Sequence, residues 1–212
     1  TQVVNVVVVY ALTFIVYMTV IQFGSVVATN VVKEKSNRAM ELLVVTVSPR
    51  TLILGKVLAL SVAVLVQMGL IIGGLFAGLK INGSRYSDNI KHIIENVDLK
   101  VLGVGLVFAL TGFVMFMFMY AAFASLVSKI EDVNGAITLP MLTFMGAFFA
   151  NYYIMGSTGD TKIAEILSYV PFTSYFVMFT RYAISHVSIQ ELGLSYGILA
   201  LTTLLVAFAS VR

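Results

Sequence analysis

These 212 residues contain no cysteine, only three prolines and little charge. The missing cysteine excludes disulfides and thiolate metal sites within the chain. The scarcity of charge excludes more. Asp, Glu, Lys and Arg make up 11% of the residues, against about 25% in soluble domains, so water is not the main solvent of this chain. The net charge of +3 is small and scattered. That argues against a nucleic-acid partner, which is held by concentrated phosphate-neutralising cations. Two distant histidines without an H-E-x-x-H motif give no zinc site. A Walker signature, G-x-x-x-x-G-K-[ST], is missing too, so any ATP is expected to be hydrolysed by another chain. No Ser/His set, paired catalytic Asp or His-rich group lies within the apolar runs, which disfavours an intramembrane enzyme.

What is present is apolar sequence, 59% of the chain, with a mean hydropathy of +1.00. Five runs reach the roughly 20 residues needed to cross a bilayer. They are Val3 to Val32, Leu52 to Leu79, Val101 to Val127, Val133 to Met155 and Leu192 to Val211. The first would measure about 45 Å as a helix, more than a hydrocarbon core of about 30 Å, so it must tilt or protrude. Length without alternation means helices, not barrel strands. The expected fold is therefore all-α: a polytopic membrane helical bundle of about five spans. Residue 1 opens directly into apolar sequence with no basic n-region, so it does not read as a signal peptide. The chain is expected to be a piece of a longer membrane protein.

Three segments interrupt the runs. The stretch 84–100 contains "SDNIKHIIENVDLK", in which Ile90, Ile93, Ile94 and Val97 keep helical spacing and charge fills the other side. It reads as an external amphipathic helix at the membrane surface, and His92 as a solvated residue of its polar face. The stretch 160–190 is too apolar for a solvated loop, yet Pro171 interrupts it. A proline disfavours helix at the residue before it. Two short helices dipping into the outer leaflet are expected, with Pro171 near the turn and protein covering the non-helical backbone. Arg181 and His186 in this stretch read as side chains snorkelling to the interface, with Arg181 a candidate gating residue because intramembrane charge is expensive.

The third interruption is "KEKSNRAMELLVVTVSPRTLILGK", residues 33–56. As a helix it places Glu34, Arg38 and Glu41 on one side and Met40, Leu43, Val44 and Val47 on the other, until Ser48-Pro49 ends it. Its charge is net +3, with the 80–100 segment at +1. The positive-inside rule therefore puts 33–56 in the cytoplasm. This segment resembles the first cytoplasmic loop of ABC-2 type transporter permeases, closest to the branch that includes NatB-like sodium-export permeases. The matching residues are Glu34, Lys35, Glu41, Leu42, Leu43, Ser48, Pro49, Gly55 and Lys56. The likeness continues in "AAFASLVSKIEDVNGAITLPML", with the acidic pair Glu131 and Asp132 and the proline Pro140. It extends to "LSYVPFTSYFVMFTRY", where Tyr175 and Phe176 stand in place of the family's second proline. The family's first span and the large external domain that often follows it are expected to lie outside these residues.

The resemblance implies a single ABC-2 transmembrane domain over residues 1–212, in the bacterial or archaeal cell membrane. It implies a second permease half, homo- or heterodimeric, and a separate ATPase subunit that binds ATP and Mg²⁺, with no cofactor on this chain. The ATPase would dock on a coupling helix within 33–50, where Glu34, Lys35, Arg38, Glu41, Ser48 and Pro49 are the candidate residues. Pathway or gating candidates are Glu131, Asp132, Asn134, Pro140, Pro171 and Arg181. A rival reading makes Glu131 and Asp132 the ion site of a secondary carrier or channel; the bland one makes them solvated charges at a helix start. Asn134 and Thr138, one turn apart, face a pathway or bond between helices. Gly69-x-x-x-Gly73 and Gly74-x-x-x-Gly78 would permit close helix approach, and "FVMFMFMYAAF" reads as packing or lipid contact.

Overall fold

The computed structural model describes residues 2–36, 49–81, 97–157 and 159–210. Seven α-helices and no strand occur among them. They are α1 (Gln2–Ser36), α2 (Pro49–Ile81), α3 (Leu99–Ser125), α4 (Val133–Met155), α5 (Lys162–Tyr169), α6 (Pro171–Ile184) and α7 (Ile189–Ser210), with a 3₁₀ turn at Ile130–Asp132 before α4. Five helices, α1, α2, α3, α4 and α7, are long and apolar enough to cross a membrane. Most of the external segment 84–100 lies outside the described residues, as do Arg38, Glu41 and Ser48 of the coupling segment.

Local signals set the helix ends. Asp98 caps α3, its carboxylate accepting from the Lys100 amide at 2.8 Å. Ser188 and Glu191 open α7 with a reciprocal capping box: each backbone amide donates to the other's side chain, at 2.9 and 3.2 Å. Pro49 and Pro171 are the first residues of α2 and α6, where a missing N–H costs nothing. Val170 before Pro171 is extended, at φ −72° and ψ 120°, the conformation a following proline demands.

Helix α3 is the hub, packing against α1, α2, α4, α6 and α7. Phe113, Met115, Phe116, Met117, Met119 and Tyr120 are all buried, so the Phe/Met run is core packing. Phe144 of α4 stacks on Tyr17 and Tyr175 at centroid distances of 5.8 and 6.1 Å, tying α1, α4 and α6 together. Side-chain contacts also place the ends of α1, α3 and α6. At one end Lys35 of α1 reaches the last residue of α3, Ser125. At the other Asn5 of α1 reaches the Ala183 carbonyl near the end of α6, at 3.0 Å. We term these the charged end and the hairpin end.

Candidate functional site

Two regions hold the polar chemistry. The first is the α5–α6 hairpin. Gly105 of α3 lies under the Phe179 ring and Gly112 under Tyr175; a Cβ on either glycine would fall 2.6 or 2.5 Å from the ring. Residue numbers rise along α3 as they fall along α6, so α6 climbs back out beside α3. Gly112 is about 20 Å along α3 at 1.5 Å per residue. The turn at Pro171, one turn beyond Tyr175, thus sits near mid-height of α3. Residues 174–181 of α6 are buried without exception, so this backbone is enclosed by protein.

Arg181 does not reach outward as a snorkelling residue would. It is 6% exposed, its Nε donating to the Gly159 carbonyl at 3.3 Å and its Nη1 to the Ser168 hydroxyl at 2.7 Å. Ser168 Oγ in turn donates to the Glu165 carbonyl, and Ser195 of α7 donates to the Ser168 carbonyl, both at 2.6 Å. The guanidinium therefore ties α5, α6 and the turn before α5 into one unit. Gly159 takes φ +76°, and a Cβ there would meet Ile184 at 3.0 Å, so both conformation and space call for glycine. Beside this unit a cleft of about 580 Å³ is lined by Asn5, Ser157, Asp160, Tyr182, Ser185 and His186. His186 is exposed at its rim.

Sequence reasoning missed a set of buried polar groups on α1, α4 and α6. Asn151 is fully buried and donates to Thr13 Oγ1 at 3.3 Å, joining α4 to α1. The Asn151 carboxamide oxygen, the Tyr175 hydroxyl and the Thr180 hydroxyl have no hydrogen-bond partner among the described residues. The readable signal was an asparagine deep in the apolar run that follows Pro140, since such groups in spans tend to face the bundle interior.

The second region is the charged end. Glu34 and Lys35 belong to the last turn of α1. Glu34 forms an ion pair with Lys56 of α2, and Lys35 Nζ donates to the Ser125 carbonyl at 2.7 Å. Glu131 and Asp132 lie in the 3₁₀ turn at the same end, both exposed. Asn134 and Thr138 are exposed as well, the Thr138 hydroxyl donating to the Asn134 carbonyl at 2.7 Å. Pro140 is buried inside α4. The structure thus gathers Glu34, Lys35, Glu131 and Asp132 at one end and Pro171 and Arg181 in the hairpin, with Pro140 apart from both. Among the described residues no three His, Asp or Glu side chains converge as a metal site would need.

Among the described residues, Gly69, Gly73 and Gly74 of α2 make no close approach of the kind their spacing suggests: a Cβ on any of them would meet nothing within 4 Å. The close approaches are instead at Gly105 and Gly112 against α6, and at Gly24 of α1 against Tyr120.

The profile of a family described as ABC-2 family transporter protein matches residues 1–212. Among curated proteins, the chain is similar to the uncharacterized protein YhaP of Bacillus subtilis (strain 168), with 28% identity over 207 residues. That alignment covers 96% of this chain and 49% of the relative. It is also similar to the uncharacterized protein MJ1024 of Methanocaldococcus jannaschii, with 26% identity over 200 residues, covering 94% of this chain and 46% of that one. The chain spans about half the length of these relatives. No solved structure gives a significant match.

Proposed function

We propose, since the chain belongs to the ABC-2 family of transporter proteins, that it is the permease domain of an exporter driven by a separate ABC ATPase. It is a multi-pass membrane protein, with five helices of spanning length. The observation that carries the ATP-coupled reading is the charged end. There the segment 37–48 is flanked by Glu34 and Lys35 on α1 and by Lys56 on α2, and these side chains reach α2 and α3. A partner acting on that segment acts on the ends of three spans together. In this reading the charged end is cytoplasmic, as the loop charges favour, and Arg38 and Glu41 meet the ATPase. The hairpin end is then external, and α5–α6 re-enters the outer half of the bilayer under cover of α3, α4 and α7. Such cover is the condition for a helix break at that depth.

The rival carrier reading needs Glu131 and Asp132 inside a pathway. Their exposure at the start of α4 supports the solvated alternative. For the cargo, the resemblance to sodium-export permeases makes a monovalent cation the first to test, before peptides, lipids and drugs. The test of coupling is co-purification of the full-length protein with an ABC ATPase encoded beside it. Glu41→Lys should reduce association while leaving the thermal stability of the bundle unchanged. Undiminished association and undiminished ATP hydrolysis by the complex would count against the reading.

A further inference from the structure

We infer that Glu34 is not a docking charge but a positioning residue: with Lys56 and Lys35 it clamps the base of the charged segment to the ends of α1, α2 and α3. The inference rests on the ATP-coupled reading above and deepens it. Glu34 and Lys56 are 22 positions apart in sequence and are paired directly. The carboxylate stands in the last turn of α1, where the helix dipole opposes a negative charge. A cation brought by the neighbouring helix offsets that opposition. Lys35, next along α1, turns to another neighbour and donates to the Ser125 carbonyl at 2.7 Å, a group at the α3 C-terminus that intrahelical bonding leaves open.

Two adjacent side chains of α1 therefore hold α2 and α3. Ser125 is also the last residue of α3 before the connection to the 3₁₀ turn and α4. A push on the segment between Glu34 and Lys56 reaches all these spans while the pair is closed. With the pair open, the ends of α1 and α2 are no longer joined at Glu34 and Lys56, and the push reaches α2 less directly. The pair is part-exposed, at 38% for Glu34 and 21% for Lys56. Ion pairs of that exposure add little to folding, so its loss should show in coupling and not in stability.

The experiment uses the full-length permease with its ABC ATPase in proteoliposomes. The readout is the change in labelling rate of an Asp160→Cys reporter at the hairpin end between ATP-bound and nucleotide-free states. Glu34→Lys and Lys56→Glu should each keep the ATPase bound yet shrink that change about fivefold, the factor that goes with a loss of ~1 kcal/mol. The milder Glu34→Gln should shrink it in the same direction. The charge swap Glu34→Lys with Lys56→Glu should restore it. Loss of ATPase binding in the single variants would make Glu34 a docking charge and overturn the clamp, as would a swap that restores nothing. A wild-type complex that binds no ABC ATPase at all would instead remove the ATP-coupled reading, and the clamp with it.

Discussion

Helices α2 and α6 are both apolar, yet the molecule treats them in opposite ways. Over its most apolar stretch only 17% of the residues of α2 are buried, against 56% for α3, and among the described residues it packs mainly on α3 and α1. Its Leu58, Val62, Leu65, Val66 and Leu70 are exposed. By contrast, α6 is enclosed from Ser174 to Arg181. Hydropathy reports only that a segment can leave water. What it meets instead is decided by fit. Large rings on α6 lie over glycines on α3, whereas Gly69, Gly73 and Gly74 of α2 have no neighbour within 4 Å of a Cβ among the described residues.

The sharpest way to break this contrast is to fill the glycines. Gly112→Leu drives a side chain into the Tyr175 ring and should cost about 3 kcal/mol or more, as overpacking does at its upper range. Gly73→Leu should stay within about 0.5 kcal/mol, as at a surface position. Melting temperatures in detergent decide it; equal effects at the two sites would erase the distinction. Next in size is Arg181→Met, which strands the Gly159 carbonyl and removes the donor to Ser168 Oγ, and should cost about 2 kcal/mol. A lower melting temperature with faster proteolysis near residue 160 is expected, and an unchanged protein would mean the guanidinium does not hold the hairpin. The smallest effect belongs to Thr13→Val, which removes the α1 acceptor for Asn151 and leaves its contact with Met155 Sδ, and should cost about 0.6 kcal/mol, typical of hydrogen bonds between membrane helices. A loss several times larger would give that pair a greater structural role.

How legible this fold was in the sequence differs by level. The five long helices follow from run length because leaving water is a summed property of a window. Their ends were less visible. α1 runs past Val32 to Ser36 because Lys33 and Lys35 suit a helix C-terminus, which a hydropathy window registers only as polarity. α7 starts at Ile189, ahead of Leu192, because of the Ser188–Glu191 box, a signature that was readable in the chain. Arg181 was not readable. Its burial depends on acceptors from Gly159 and Ser168, which only the folded hairpin brings together. Likewise the Glu34–Lys56 pair joins two helices across a segment whose charges, taken alone, all look like solvated surface.

The central claim is that a nucleotide-hydrolysing partner works on the charged end of this bundle and not on the hairpin end. Because these 212 residues contain no cysteine, single cysteines introduced at Asn37, Lys129 and Asp160 of the full-length protein can be cross-linked one at a time in intact cells. The account predicts adducts with an ABC ATPase from Asn37, in the charged segment, and from Lys129, at the same end, and none from Asp160. Adducts from Asp160 alone, or labelling of Asn37 by an impermeant reagent added outside the cell, would contradict it.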